Sequence, residues 1–367
     1  MSTSSQPTAT RRRRTATRVL AAVAALTVVP TLIVAAPGLA AAKTTTNRAD
    51  AGAGWLGRQL PADHIVKSGS FADFGLTADT VLALDSAKVG RVAARNATRA
   101  LKTHVLAYTG GGDRAEFYAG SFAKLLNVAA AQHKADPRNF GTSDRSNLIA
   151  NLRSLECGSG SRARCPGADK GRFSDVSAFG DFSNTIGQSL ALIGLARTTA
   201  NGPSKASVAY LRHQQCPNGA FPLELSSAGC TPSVDATAFA VQALLATGRK
   251  KATAAALDGA GWLKQNQNPN GSFTGNAVHN TNTTGLAAQA LRVAGRAKAA
   301  AKAVTWIRSL QVGCGGKVAN RGKVKYAKHA GGDPIRATSQ AVPALAGVGL
   351  AAISNLGSTR GLPTLRC

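Results

Sequence analysis

Aromatic side chains are scarce in this chain. They make up 5% of its 367 residues, with three Trp and four Tyr. That removes the stacking platforms on which proteins hold single-stranded nucleic acid, and no nucleic-acid module is present. Acid is scarce as well: 17 Asp and Glu face 44 Lys and Arg, a formal net charge of +27. Such a surface favours polyanions outside a cell, wall polymers or anionic lipid heads, and serves equally as a plain solvated surface. No C-x-x-C pair occurs and no His follows a Cys pair closely, so zinc spacing is missing. No sustained period-two alternation appears, which argues against a β-rich body. Long apolar runs are limited to one, Val19–Ala36.

That run has meaningful flanks. Arg11–Arg14 and Arg18 precede it, and Pro37-Gly38-Leu39-Ala40-Ala41-Ala42 follows. Basic, apolar, then small is the layout of a secretory signal, with cleavage expected after Ala40 or Ala42. Residues 1–42 are therefore expected to be removed, 43–50 to be a linker, and 51–367 to form one domain. The segment carries five Arg and no acid, so the mature chain keeps +22. All six cysteines follow it. In a secreted, extracellular chain they read as disulfides, and sequential pairing is expected: Cys157–Cys165, Cys216–Cys230 and Cys314–Cys367.

The body of the chain repeats itself. Gly261–Phe273 reads GWLKQNQNPNGSF, and Ala209–Phe221 reads AYLRHQQCPNGAF. Trp262 matches Tyr210, Gln267 matches Gln215, Gly271 matches Gly219 and Phe273 matches Phe221. Trp306-Ile307 with Gln311 repeats the first half, Trp55-Leu56 with Gly69-Ser70-Phe71 repeats both ends, and Asn151-Leu152 with Gly171-Arg172-Phe173 is a copy carrying an insertion. Leu101–Phe117 is the weakest copy. After each turn comes an apolar segment of helical period: Leu76–Leu84, Ala119–Ala131, Ser183–Ala196, Ser233–Ala246, Asn282–Ala294 and Thr338–Ala351. Thr77, Ser183 and Ser233 stand where N-caps belong, and Gly90, Gly248 and Gly295 where C-caps belong. These segments are apolar all round, while the preceding ones carry Arg58, Arg212, Lys264 and Arg308. The reading is six hairpins, each an outer helix followed by an inner one, closed into an all-α ring.

W-L-x-x-x-Q-N-P-N-G-S-F resembles the repeat of squalene cyclases, with Phe273 where Trp is usual. Over roughly residues 50–355 the chain looks like the α/α toroids of terpenoid cyclases and protein prenyltransferases, which carry the prenyltransferase/squalene oxidase repeat. The resemblance implies an (α/α)6 toroid and leaves function open, because that ring serves several chemistries. Proton-initiated cyclases of the family use a D-x-D-D acid cluster; here Asp79 and Asp235 each stand alone. The zinc prenyltransferases need Asp, Cys and His on inner helices, and those segments hold no Cys. Gly313-Cys314-Gly315-Gly316-Lys317 is similar to a thioester motif but has Lys317 where the reacting Gln belongs.

The inner segments start polar. Asp79, Thr80, Asn184, Asp235, Thr237, Asn282, Thr283, Thr338 and Gln340 would gather at one rim, where free helix N–H groups also collect. Any one of them is simply a first-turn residue; the set is a candidate ligand mouth. Arg336–Leu345 (RATSQAVPAL) also resembles the last inner helix of the cobalamin carriers transcobalamin and intrinsic factor. That likeness implies a bound corrinoid and a separate lid or transporter protein; no other cofactor and no metal are expected. The sequence-level expectation is thus a secreted, non-catalytic toroid binding a small molecule. An enzyme of the cyclase or prenyltransferase kind and a wall-associated interaction protein are the alternatives.

Overall fold

The computed structural model describes residues 43–163, 165–226 and 229–367. In it, outer and inner helices alternate six times. The first hairpin is α1 (Arg48–Gln59) and α2 (Phe74–Ser86). The second has a broken outer arm, α3 (Arg91–Thr103) and α4 (Val105–Gly110), then α5 (Ala119–Ala131). Next come α6 (Leu148–Ser154) with α7 (Thr185–Thr198) and α8 (Lys205–His213) with α9 (Val234–Ala246). The last two are α10 (Lys250–Gln265) with α11 (Thr281–Val293) and α12 (Ala297–Ser309) with α13 (Pro334–Ala346). The inner helices pack in the order α2, α5, α7, α9, α11, α13, and α13 returns to α2. The ring is closed, an (α/α)6 toroid.

The expected signal, 1–42, lies outside the described residues. The expected linker 43–50 is not slack: Thr44–Thr45 pairs in parallel with Thr364–Leu365, and α1 already starts at Arg48. Asn47 causes that early start by accepting the N–H groups of Ala49 and Asp50.

The inner helices are apolar on all sides because they touch the ring neighbours, the outer layer and the lumen. Their caps correct the expected ones in part. Ser233 caps α9, accepting from Ala236 N–H. Asp73 rather than Thr77 caps α2, and Asn184 rather than Ser183 caps α7, because in each case the other side chain is committed elsewhere. The αL residue after α2 is Lys88, and Gly90 opens α3 instead of ending α2. Helix α13 runs Pro334–Ala346, earlier than expected, since Asp333 caps it and Gly347 stops it.

The repeated stretch proves to be joinery. Gln267 Nε2 donates to the carbonyls of Gly271 and Ala299, both at 3.0 Å, tying the turn to the next outer helix. Gln215 does the same with Gly219 and Ala255, and Gln311 with Gly322 and Arg48. A second device sits on the inner helices. The hydroxyls of Thr77, Thr237, Thr284 and Thr338 each donate to a carbonyl one turn back and accept the N–H of Val66, Phe221, Phe273 and Val324. Each turn is thereby pinned to the core. Removing both bonds of one clamp in Gln267→Ala should cost about 1–3 kcal/mol, read as a lower denaturant midpoint with an unchanged helical spectrum.

The segment after α13 crosses the C-terminal ends of the inner helices. Leu350 N–H donates to Gln242 Oε1 (2.9 Å), Asn355 N–H to the Ala131 carbonyl (2.9 Å) and Thr359 N–H to the Lys88 carbonyl (2.9 Å). This strap stops that end of the lumen with Leu350 as its floor and leaves the N-terminal end open. The three disulfides are Cys157–Cys165, Cys216–Cys230 and Cys314–Cys367, the sequential pairing. No helix of the described residues is long and apolar enough to cross a membrane.

Candidate functional site

All six inner helices contribute to one cavity of about 210 Å³ on the ring axis. Its apolar lining is Leu82, Leu190, Phe239, Leu286 and Pro343, with Leu350. Its polar lining is Asp79, Lys124, Asp235, Gln289, Arg336 and Gln340. Two hollows adjoin it at the open end. A groove of about 450 Å³ lies between α5 and α7, and a smaller hollow of about 270 Å³ lies beside Asp235 and Thr283.

The charges in the chamber compensate one another. Asp79 on α2 pairs with Lys124 on α5 at 2.9 Å, both side chains mostly buried. Burial opposes the Lys124 ammonium, but Asp79 and Tyr108 beside it outweigh burial and raise its pKa. Arg336 pairs with Asp73 at 2.9 Å. Asp235 has no cation. Its residual exposure is to the cavity, one carboxyl oxygen lacks a protein partner among the described residues, and burial raises its pKa, with a hydrogen bond from Thr283 as partial offset. An unpartnered buried oxygen is costly, and here it belongs to a side chain that lines the chamber. Gln289 Oε1, from the neighbouring helix, is also unpartnered. In the ring order α2 and α9 stand opposite each other, so the two acids enter the chamber from opposite sides.

The nominated residues divide cleanly. Asp79, Asp235 and Gln340 line the chamber, Thr283 lines the hollow beside Asp235, and Asn184 lines the α5/α7 groove while capping α7. Thr80 does not reach the lumen: it is buried and bonds back to the Leu76 carbonyl. Thr237 and Thr338 are turn clamps. Asn282 is partly buried with an unpartnered Oδ1 outside the three hollows.

Several residues of the site were not nominated. Lys124 could have been: it is a lone charge in the apolar run Ala119–Ala131. Arg336 and Gln289 gave no separate signal. Asp175 lies in the groove, far along the chain from α5, yet accepts the N–H of Ala119 at 2.7 Å and so caps α5, whose own N-cap Tyr118 makes no such bond. Burial lifts its pKa to about 6. A cap borrowed across the fold leaves no local trace in sequence. Among the described residues no cluster of His, Cys, Asp and Glu is arranged to hold a metal.

No family model and no curated protein matches this sequence. Solved structures do. The type II terpene cyclase MstE from Scytonema is similar with a TM-score of 0.58 at 16% identity, over 82% of this chain and 97% of that one. An unsaturated glucuronyl hydrolase from Bacillus sp. GL1, responsible for glycosaminoglycan degradation, is similar with a TM-score of 0.55 at 11% identity, over 82% and 95%. An unsaturated glucuronyl hydrolase specific for heparin gives 0.58 at 12% identity, over the same shares. At these identities the likeness establishes the α/α-toroid fold. A single-substitution variant of MstE has also been captured with geranylgeranyl dihydroxybenzoate as its substrate. The expectation of a non-catalytic corrinoid binder is corrected by these findings. The similar toroids are enzymes.

Proposed function

We propose that this chain is an enzyme that works by general-acid catalysis, with Asp235 as proton donor to a neutral, largely apolar small molecule in the axial chamber. The observation that carries this reading is the Asp235 carboxyl: it lines the chamber, is largely buried with its pKa raised by that burial, pairs with no cation among the described residues, and has one oxygen without a protein partner. Such an acid keeps its proton to a higher pH than an exposed aspartate and can deliver it in the transition state. The compensated pairs Asp79–Lys124 and Arg336–Asp73 leave no net charge to recruit an ionic substrate.

A lone, weakened acid suits protonation of an oxygen more than of an unactivated alkene, which calls for a stronger, clustered acid. The reaction class is therefore cleavage of a C–O bond in an alcohol, ether or acetal. Asp235 gives its proton to the departing oxygen as the bond breaks. Across the chamber, the Asp79 carboxylate, held by Lys124, stabilises the positive charge left on carbon, which then loses a neighbouring proton to the Asp235 carboxylate, or takes a water whose proton goes there, restoring the acid. Asn184, Thr283 and Gln340 would orient the ligand, and no cofactor is required. The three disulfides support action in an oxidising, extracellular setting.

A second reading, proton-initiated cyclisation of an isoprenoid, is favoured by the Leu and Phe lining together with the likeness to MstE. One screen separates the two. Prenyl alcohols, prenyl ethers and neutral glycosides are incubated with the protein: C–O cleavage releases an alcohol or water, whereas cyclisation gives a ring isomer of unchanged mass. Either way Asp235→Asn should lower turnover at least 100-fold without changing the fold. Equal turnover by wild type and Asp235→Asn would sink the reading.

A further inference from the structure

We infer that the groove between α5 and α7 holds the outer part of the same ligand, so that the substrate is an elongated amphiphile reaching from Asp235 to the rim. This rests on the chamber being the reaction site. Adjacency is the first argument. Lys124, Ile186 and Leu190 line both the chamber and the groove, so the two spaces adjoin across these three side chains. Size is the second. The chamber of about 210 Å³ is too small for an ordinary ligand alone, while the groove adds about 450 Å³.

The groove is also built to receive apolar material. Tyr108, Tyr118 and Phe182 face it. Phe182 is 64% exposed, an aromatic surface that a ligand would cover. The floor is the crossing of α5 and α7 at Gly120 and Gly187. A Cβ at Gly120 would meet nothing closer than the Gly187 Cα at 3.8 Å, an ordinary contact, and no positive φ requires glycine there. Glycine is a poor helix former, and packing does not demand it at this position. What its missing side chain does is keep the floor of the groove clear.

The test uses the full chain and three neutral prenols of increasing length, geraniol, farnesol and geranylgeraniol, with affinity measured by equilibrium dialysis. In the wild type, affinity should rise at least about 10-fold from geraniol to farnesol as the added isoprene unit leaves water for the groove. In Gly120→Leu, which fills the floor, geraniol should bind as before and the rise should disappear. Phe182→Ala, a change at an exposed site, should weaken the two longer prenols only. An undiminished rise in both variants, equal binding of short and long prenols by the wild type, or no prenol binding at all would overturn the inference. The two proposals fail separately. Turnover lost in Asp235→Asn with no chain-length response sinks the groove alone. A chain-length response with turnover intact in Asp235→Asn sinks the reaction site.

Discussion

Asp85→Asn should make this protein markedly more stable at pH 8, with the gain shrinking steadily as pH falls toward 4. Asp85 is fully buried near the C-terminal end of α2, where Gln132 Nε2 donates to both of its oxygens at 2.9 and 2.7 Å. Burial raises its pKa to about 7, against the partial opposition of the Gln132 hydrogen bonds and of the Lys88 and Arg197 charges. The folded state therefore holds this proton more tightly than the unfolded chain does. The stability it brings is complete below the ordinary aspartate pKa near 4, and is lost as pH rises through about 7. A shift of about three units corresponds to about 4 kcal/mol, an upper figure. Asparagine cannot ionise, so the variant should escape most of that loss. Asp175, raised to about 6 by burial, would leave a smaller residual slope. Denaturant midpoints at pH 5, 6, 7 and 8 read this directly. Parallel slopes for wild type and variant would refute it. The same measurement probes the strap, because Gln132 also accepts from Asn355 Nδ2, and Arg197 holds the carbonyls of Leu350 and Ile353.

Gly322→Ala should be the most damaging single-methyl change in the ring, costing about 3 kcal/mol or more. Gly322 has φ +96°, a conformation that alanine adopts only with strain. An added Cβ would lie 2.1 Å from the Ala51 carbonyl oxygen and 2.5 Å from its carbon, both backbone atoms of α1 that cannot turn aside. Gln311 clamps the same point, bonding Gly322 and Arg48. This is the seam where the sixth hairpin meets the first, so relief of the clash opens the ring itself. The expected result is a lowered denaturant midpoint and faster proteolysis. Gly315→Ala, where an added Cβ meets nothing within 4 Å, is the neutral control. Equal behaviour of the two variants would show that the seam does not close the ring.

The ring was legible in the sequence because its joinery is local and repeated. Gln267, Gly271 and Phe273 recur at fixed spacing since each copy ties one turn to its neighbours. Boundaries were less legible where a cap lies upstream of the apolar run, as with Asp73 and Asp333. The polar rim splits in the structure. Thr237 and Thr338 have the composition of a ligand mouth and the geometry of a clamp, and only coordinates separate the two. Asp79 and Asp235 are seen in sequence as single acids. That they oppose each other across the axis, one paired with Lys124 and one unpaired, depends on contacts between helices distant in the chain.

The central claim is that Asp235 is a proton donor in the axial chamber. It is tested most directly by the pH dependence of turnover, with any substrate from the neutral panel, in wild type, Asp235→Glu and Asp235→Asn. Because the protonated form is the active one and burial raises its pKa, wild-type turnover should persist above the ordinary aspartate range and then fall as pH rises. Asp235→Glu should keep that falling limb at a shifted midpoint, and Asp235→Asn should lose the activity. A wild-type profile without the limb, or an Asp235→Asn profile that superimposes on it, would contradict the account.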